Sequence, residues 1–159
     1  MKNILTKKAM TLFELLAVIV ILGIILAIGF PTVNRLITNS RKDAFVANVN
    51  SYISAAKTDA LSEWAVTGSA VNRVYYIGDK TELIPDDDTA VQEDFGLNGF
   101  AGAVHVYVKS DGSIEFVKVI VPFSNGKLTL KEESYINDDN SLKDIQDKSF
   151  NRNDVDDVK

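Results

Sequence analysis

Hydrophobic residues fall along the chain in three rhythms. From Leu15 to Phe30 no side chain is charged or strongly polar, and Pro31 closes the run. Beyond Pro31 the apolar residues are Val33, Leu36, Ile37, Phe45, Val49, Tyr52, Ile53, Ala56, Ala60, Leu61 and Trp64, mostly three or four apart. That spacing predicts a helix with one buried face. Arg35, Arg41, Lys42, Asp43, Asn48, Lys57 and Asp59 occupy the rest of its surface, and Gly68 is a natural stop. Ala103 to Lys109 then alternates, with Val104, Val106 and Val108 on one face and His105, Tyr107 and Lys109 on the other. Asp111-Gly112 predicts a tight hairpin, Ile114 to Pro122 the next strand, Asn125-Gly126 a second hairpin, and Leu128 to Lys131 a third strand. The pattern implies an α+β chain. One long N-terminal helix, apolar in its first half and amphipathic in its second, packs on a three- to four-stranded antiparallel sheet.

The stretches between and beyond these elements carry weaker patterns. Residues 69–100 read as a variable connection in which Val74-Tyr75-Tyr76-Ile77 can form a short strand, while Gly78-Asp79-Lys80 and Pro85-Asp86-Asp87-Asp88 are turn chemistry. The Asp86–Asp88 run lacks the ligand spacing and glycine of a calcium loop and reads as a solvated acidic turn. From Glu132 to Lys159 there are 9 acidic and 4 basic residues with few large apolar ones. This composition predicts an exposed, partly disordered tail. The chain thus divides into a leader (1–9), an apolar segment (10–31), an amphipathic helix (32–67), a loop-and-sheet region (68–135) and an acidic tail (136–159).

The apolar segment invites three readings. Lys2, Lys7 and Lys8 form a basic leader, which stays on the cytoplasmic side and sends the C-terminal part outward. Leu15–Phe30 alone makes about 24 Å of helix, short of a hydrocarbon core of about 30 Å; starting at Met10 gives about 32 Å but encloses Glu14. The first reading is a secretory signal, with Ala27-Ile28-Gly29 as a small-x-small site and a mature chain starting at Phe30. The second is a plain single-pass anchor. The third takes Glu14 as decisive, because an ionisable group inside an apolar segment is expensive and marks function. A cut just before Glu14 would supply a positive α-amine to pair with it.

Lys8-Ala9-Met10-Thr11-Leu12-Phe13-Glu14-Leu15-Leu16, followed by an apolar stretch with Gly23 and a closing Pro31, resembles the N-terminus of type IV prepilins and pseudopilins. The resemblance covers roughly Lys7 to Pro31. It implies removal of the leader by a prepilin peptidase at the Ala9–Met10 bond, N-methylation of Met10, and Glu14 as the fifth residue of the mature chain. The residue before the cut is Ala9, where the family usually has Gly, and the new first residue is Met10, where it most often has Phe. The implied fold is the pilin-like long helix on a sheet. The implied life cycle is a single-pass membrane protein, N-terminus in and C-terminus out, drawn by an assembly ATPase and a platform protein into a homo-oligomeric helical filament at the cell surface. In such a filament a lone carboxylate would cost several kcal/mol. The Met10 ammonium of a neighbouring subunit would neutralise Glu14, and the pair would set axial register more than raw stability. Gly23, Gly29 and Pro31 would loosen the helix on assembly. Many relatives pin the C-terminal region with a disulfide; this chain has no cysteine, which favours the Cys-free pilins of many Gram-positive systems.

Charge and candidate chemistry narrow the picture further. A formal net charge of −5 argues against broad binding to nucleic acid, which needs clustered Lys and Arg. Without cysteine there is no thiolate nucleophile or Cys-ligated zinc. His105 is the only histidine and lies on the polar face of its strand; Trp64 reads as a core anchor near the helix end. No nucleophile, base or metal-ligand constellation is visible, so neither an enzyme nor a cofactor is expected. The expected function is that of a structural filament subunit. The alternatives are a secretion or competence pseudopilin, and a tethered or secreted binding domain that does not assemble.

Overall fold

A computed structural model describes residues 11–158. The chain divides into two units, Met1–Ser40 and Arg41–Lys159, each taken by itself below. The first helix, α1 (Leu12–Thr67), contributes to both. In the first unit nothing among the described residues packs on α1, and its large apolar side chains are exposed from Leu12 to Ile37. That includes Val33, Leu36 and Ile37, which the three-and-four spacing placed on the buried face; Leu36 is 65% exposed. Periodicity tells which residues share a face of a helix, not whether anything covers that face.

In the second unit α1 buries Phe45, Val46, Val49, Tyr52, Ile53, Ala56 and Ala60 along one stripe. Ala56 and Ala60 are fully buried, and their small side chains let the helix backbone approach the sheet. The helix stops at Gly68, whose φ is +64° and whose N–H donates to the carbonyl of Trp64 at 2.7 Å. A residue in this left-handed conformation closes a helix C-terminus, and glycine adopts it without a Cβ penalty.

The class is α+β, as the pattern implied, but the sheet has six strands rather than three or four. They are β1 (Val71–Ile77), β2 (Ala90–Gln92), β3 (Ala101–Val108), β4 (Ile114–Ser124), β5 (Leu128–Leu130) and β6 (Val155–Asp157). Their spatial order is β2-β1-β3-β4-β5-β6. All neighbours are antiparallel except β1 and β2. The β3-β4-β5 meander is the one read from alternation. Its registers Val104↔Val119 and Val106↔Val117 put four fully buried valines side by side beneath the helix. These join Phe45, Val49, Tyr52 and Phe123 in one core.

Residues 69–100 are more than a connection. β1 pairs with β3 along its whole length. Its helix-facing row includes Arg73, which breaks the apolar alternation. The structure explains the exception: the Arg73 guanidinium holds Glu63 of α1 through two hydrogen bonds, Nε to Oε2 at 2.8 Å and Nη2 to Oε1 at 2.5 Å. This pair raises the pKa of Arg73 further. The crossover from β1 to β2 tucks Ile84 against Val74 and Ala103, a small second core on the other face of the sheet.

The expected exposed tail is also corrected. Ile145, Phe150 and Val155 are buried, and β6 pairs with β5. A four-residue helix, α2 (Glu132–Tyr135), buries Tyr135. Isolated apolar residues in a charge-rich stretch show no period, yet each finds a seat once helix and sheet are in place.

The β3–β4 hairpin joins the end of α1 to the sheet. Gly112 has φ +83° and its N–H donates to the carbonyl of Lys109 at 2.9 Å, while Asp111 Oδ1 accepts from the Ser113 N–H at 2.9 Å and hydroxyl at 2.6 Å. Trp64 lies on this turn. Its indole N–H donates to the Ser110 carbonyl at 3.1 Å, and a Cβ on Gly112 would sit 2.5 Å from its six-membered ring. Trp64 is half-buried at the rim of the core, serving as the anchor expected near the helix end.

Candidate assembly segment in the first helix

The segment begins with a reciprocal cap. Glu14 Oε2 accepts from the Thr11 N–H at 2.8 Å and from the Thr11 hydroxyl at 2.9 Å, and the Glu14 N–H donates back to Thr11 Oγ1 at 3.2 Å. This is a capping box: it satisfies two of the backbone donors that every helix start leaves orphaned. Among the described residues Glu14 Oε1 accepts no hydrogen bond. Glu14 was singled out from sequence for its charge alone. Thr11 was not, although a Thr three residues before a Glu at the head of an apolar run is the sequence signal of such a cap.

Behind the cap stands a sheath of apolar side chains. Phe13 is 79% exposed and Phe30 69%, with Leu, Ile and Val exposed on every side between them. Leu12–Phe30 is about 28 Å of helix at about 1.5 Å per residue, and the most apolar 18-residue window reaches a mean hydropathy of 2.9. One helix near the N-terminus is therefore long and apolar enough to cross a membrane. Soluble monomers rarely leave an apolar patch this large in water.

Gly23 and Gly29 lie within the helix, and a Cβ at either would meet nothing within 4 Å. Packing among the described residues gives no reason for glycine at these sites. Pro31 also lies inside the helix; its nitrogen cannot donate to the Ala27 carbonyl, so one rung of the ladder is absent. The next residue, Thr32, directs its hydroxyl to the Ile28 carbonyl at 3.4 Å. The Gly23–Pro31 stretch is helical throughout. Ala9 and Met10, the expected cleavage and methylation positions, lie outside the described residues.

The other residues weighed from sequence have local structural partners. His105 Nε2 is 2.5 Å from Asn72 Oδ1 and its ring meets the edge of Phe116. Burial, and then the nearby Lys118 charge, push its pKa down. Phe116 itself stacks with Tyr107 at 5.6 Å and lies 4.7 Å from the Lys118 ammonium. Asp86 is paired with Lys80 at 2.6 Å, and Asp87 caps Thr89 through its N–H and hydroxyl. Each carboxylate thus has its own partner. Among the described residues no group of three His, Cys, Asp or Glu converges on one point that could hold a metal ion.

No family model, curated protein or solved structure matches the chain.

Proposed function

We propose that the chain is a structural subunit of a type IV pilus-like surface filament, made as a single-pass membrane protein and assembled through its N-terminal helix. One observation carries the reading: an apolar helical sheath, exposed on every side, starts at a carboxylate and runs into a helix that anchors a folded head. In this account prepilin peptidase removes residues 1–9 and methylates Met10. An assembly ATPase and platform protein then move the subunit from membrane to filament. Packing of residues 10–30 against neighbours replaces lipid by protein around the sheath. The Met10 ammonium of one subunit meets Glu14 of the next, using the oxygen that the Thr11 cap leaves open. The head faces outward. Glycines at Gly23 and Gly29 that no packing among the described residues requires, together with Pro31, suit a segment that changes its hydrogen bonding on assembly.

A second reading, a tethered head that never assembles, is favoured by the same capping box, because it gives Glu14 a use within its own helix. The N-terminus and intact mass of the protein recovered from its native membrane separate the two. A chain beginning at N-methylated Met10 is expected. An intact Met1, or a start at Phe30, would overturn the filament reading.

A further inference from the structure

The polar side of α1 in the second unit carries a regular device. Asp43, Asn50 and Lys57 are seven residues apart, which places them in one line along the helix. An extended segment, Asp144–Val158, runs past them in the opposite direction. Lys57 Nζ donates to the Gln146 carbonyl at 2.8 Å. Asn50 grips both backbone polar groups of Phe150: its Nδ2 donates to the carbonyl at 2.9 Å and its Oδ1 accepts from the N–H at 3.0 Å. Asp43 takes a two-pronged hydrogen bond from the Arg152 guanidinium, and the neighbouring Lys42 ammonium reaches the Val155 carbonyl at 3.2 Å. Apart from Asp43 with Arg152, every rung holds backbone atoms, so the helix dictates the path of the segment rather than its side chains.

The opposite margin is tied to β4 at its start and to β5 and the residues after it further along, where the Lys131 N–H donates to the Asp154 carbonyl at 2.9 Å and Lys148 Nζ to the Ser134 carbonyl at 2.7 Å. The Ile145 N–H donates to the Val117 carbonyl at 2.7 Å, and Asp144 Oδ1 accepts from the Val117 N–H at 3.0 Å. At the far end β6 pairs with β5, and the Val158 N–H donates to the Lys127 carbonyl at 2.8 Å. Ile145, Phe150 and Val155 are the apolar plugs. No rung of the β1–β3 or β3–β4 ladders depends on this segment.

We propose that Asp144–Val158 is a non-covalent strap, keyed by the Asn50 amide to the backbone N–H and carbonyl of Phe150, that opens as one unit while β1, β3 and β4 stay folded. The physical reason lies in its connectivity. The strap's own structure is local: a turn closed by the Lys148 N–H on the Ile145 carbonyl at 3.1 Å, a capped 3-10 turn at Arg152–Asp154 and a Lys148–Asp154 ion pair at 3.7 Å; none of these contacts involves β1 or β3. Its attachments lie in series, so releasing the central rung also frees the plugs beside it. Sub-global openings of this kind follow such contiguous units. The inference is independent of whether the chain assembles.

The test is amide hydrogen exchange by mass spectrometry on the full chain in detergent micelles, comparing peptides that cover 144–158 with peptides that cover β3 and β4. The strap peptides should exchange together and well before the β3–β4 peptides. Asn50→Ala removes two hydrogen bonds to the backbone of one residue and should accelerate the strap peptides about tenfold or more, leaving β3–β4 unchanged. Exchange of strap and sheet at one common rate, or an Asn50→Ala effect spread evenly over the head, would overturn the proposal. So would strap peptides that do not respond to Asn50→Ala. If that variant does not fold, Lys57→Met tests the same point: it keeps the aliphatic stem and removes one partly buried rung. It should accelerate the strap a few-fold, and no change would overturn the strap.

Discussion

Gly112→Ala tests how far the Trp64 ring, beside the Glu63–Arg73 pair, locks the end of the long helix to the sheet. Two costs meet at this residue. The backbone sits at φ +83°, where a Cβ costs about 1–2 kcal/mol. The new methyl would also stand 2.5 Å from Cη2 and Cζ2 of Trp64, far inside contact distance, so the indole must swing away. Its N–H then leaves the Ser110 carbonyl, a loss of about 0.5–1.5 kcal/mol, together with part of its packing. The total is about 2–4 kcal/mol, or a fall in Tm of roughly 5–15 °C for a chain of this size. Gly126→Ala is the matched control: Gly126 has a similar φ of +75° but nothing within 4 Å of a built Cβ. It should lose only the backbone share, about 1–2 kcal/mol. Trp64 is the only tryptophan, so its emission reports the local change while urea unfolding of the full chain in micelles reports the loss. Equal losses for the two variants, or an unshifted Trp64 emission maximum in Gly112→Ala, would refute the lock.

Glu14→Ala should still insert in the membrane and be cleaved, but filament yield should fall sharply; a normal yield would remove the register role. Tyr75→Phe should destabilise the head by about 1–2 kcal/mol in urea titrations, since the Tyr75 hydroxyl donates to Asp59 at 3.0 Å in a site buried enough to push its pKa up; an unchanged midpoint would mean that this bond adds nothing. His105 has a pKa below its ordinary value in the folded head. The unfolded chain therefore takes up the proton first as pH falls from about 6.5. Stability contributed by neutral His105 is complete above that pH and is lost on acidification through the lower folded value. His105→Gln should flatten this part of the urea-midpoint profile between pH 8 and pH 5, and parallel profiles for wild type and variant would show that His105 carries none of it.

Much of this architecture could be read from residue order because it rests on local rules. An uninterrupted apolar run, a three-and-four repeat, a glycine stop and an alternating strand pair depend on neighbours along the chain. They specified α1, the β3-β4-β5 meander and the side of β3 that faces the helix. Glu14 was conspicuous for the same reason, as a charge out of place in its own segment. The parts decided by tertiary structure depend on partners far away in sequence. β1 contains Arg73 on its inner row, acceptable only because Glu63 waits across from it. β2 and β6 are three residues each, too short to show a period, and exist because longer strands offer an edge. Asp43, Asn50 and Lys57 look like solvated helix surface until a segment about a hundred residues later lies across Asn50. Ile145, Phe150 and Val155 likewise become core only when helix and sheet form their seats. Local propensity determined which elements form, whereas long-range pairing of charges, amides and isolated apolar side chains decided how many strands join the sheet and where the acidic C-terminal segment goes.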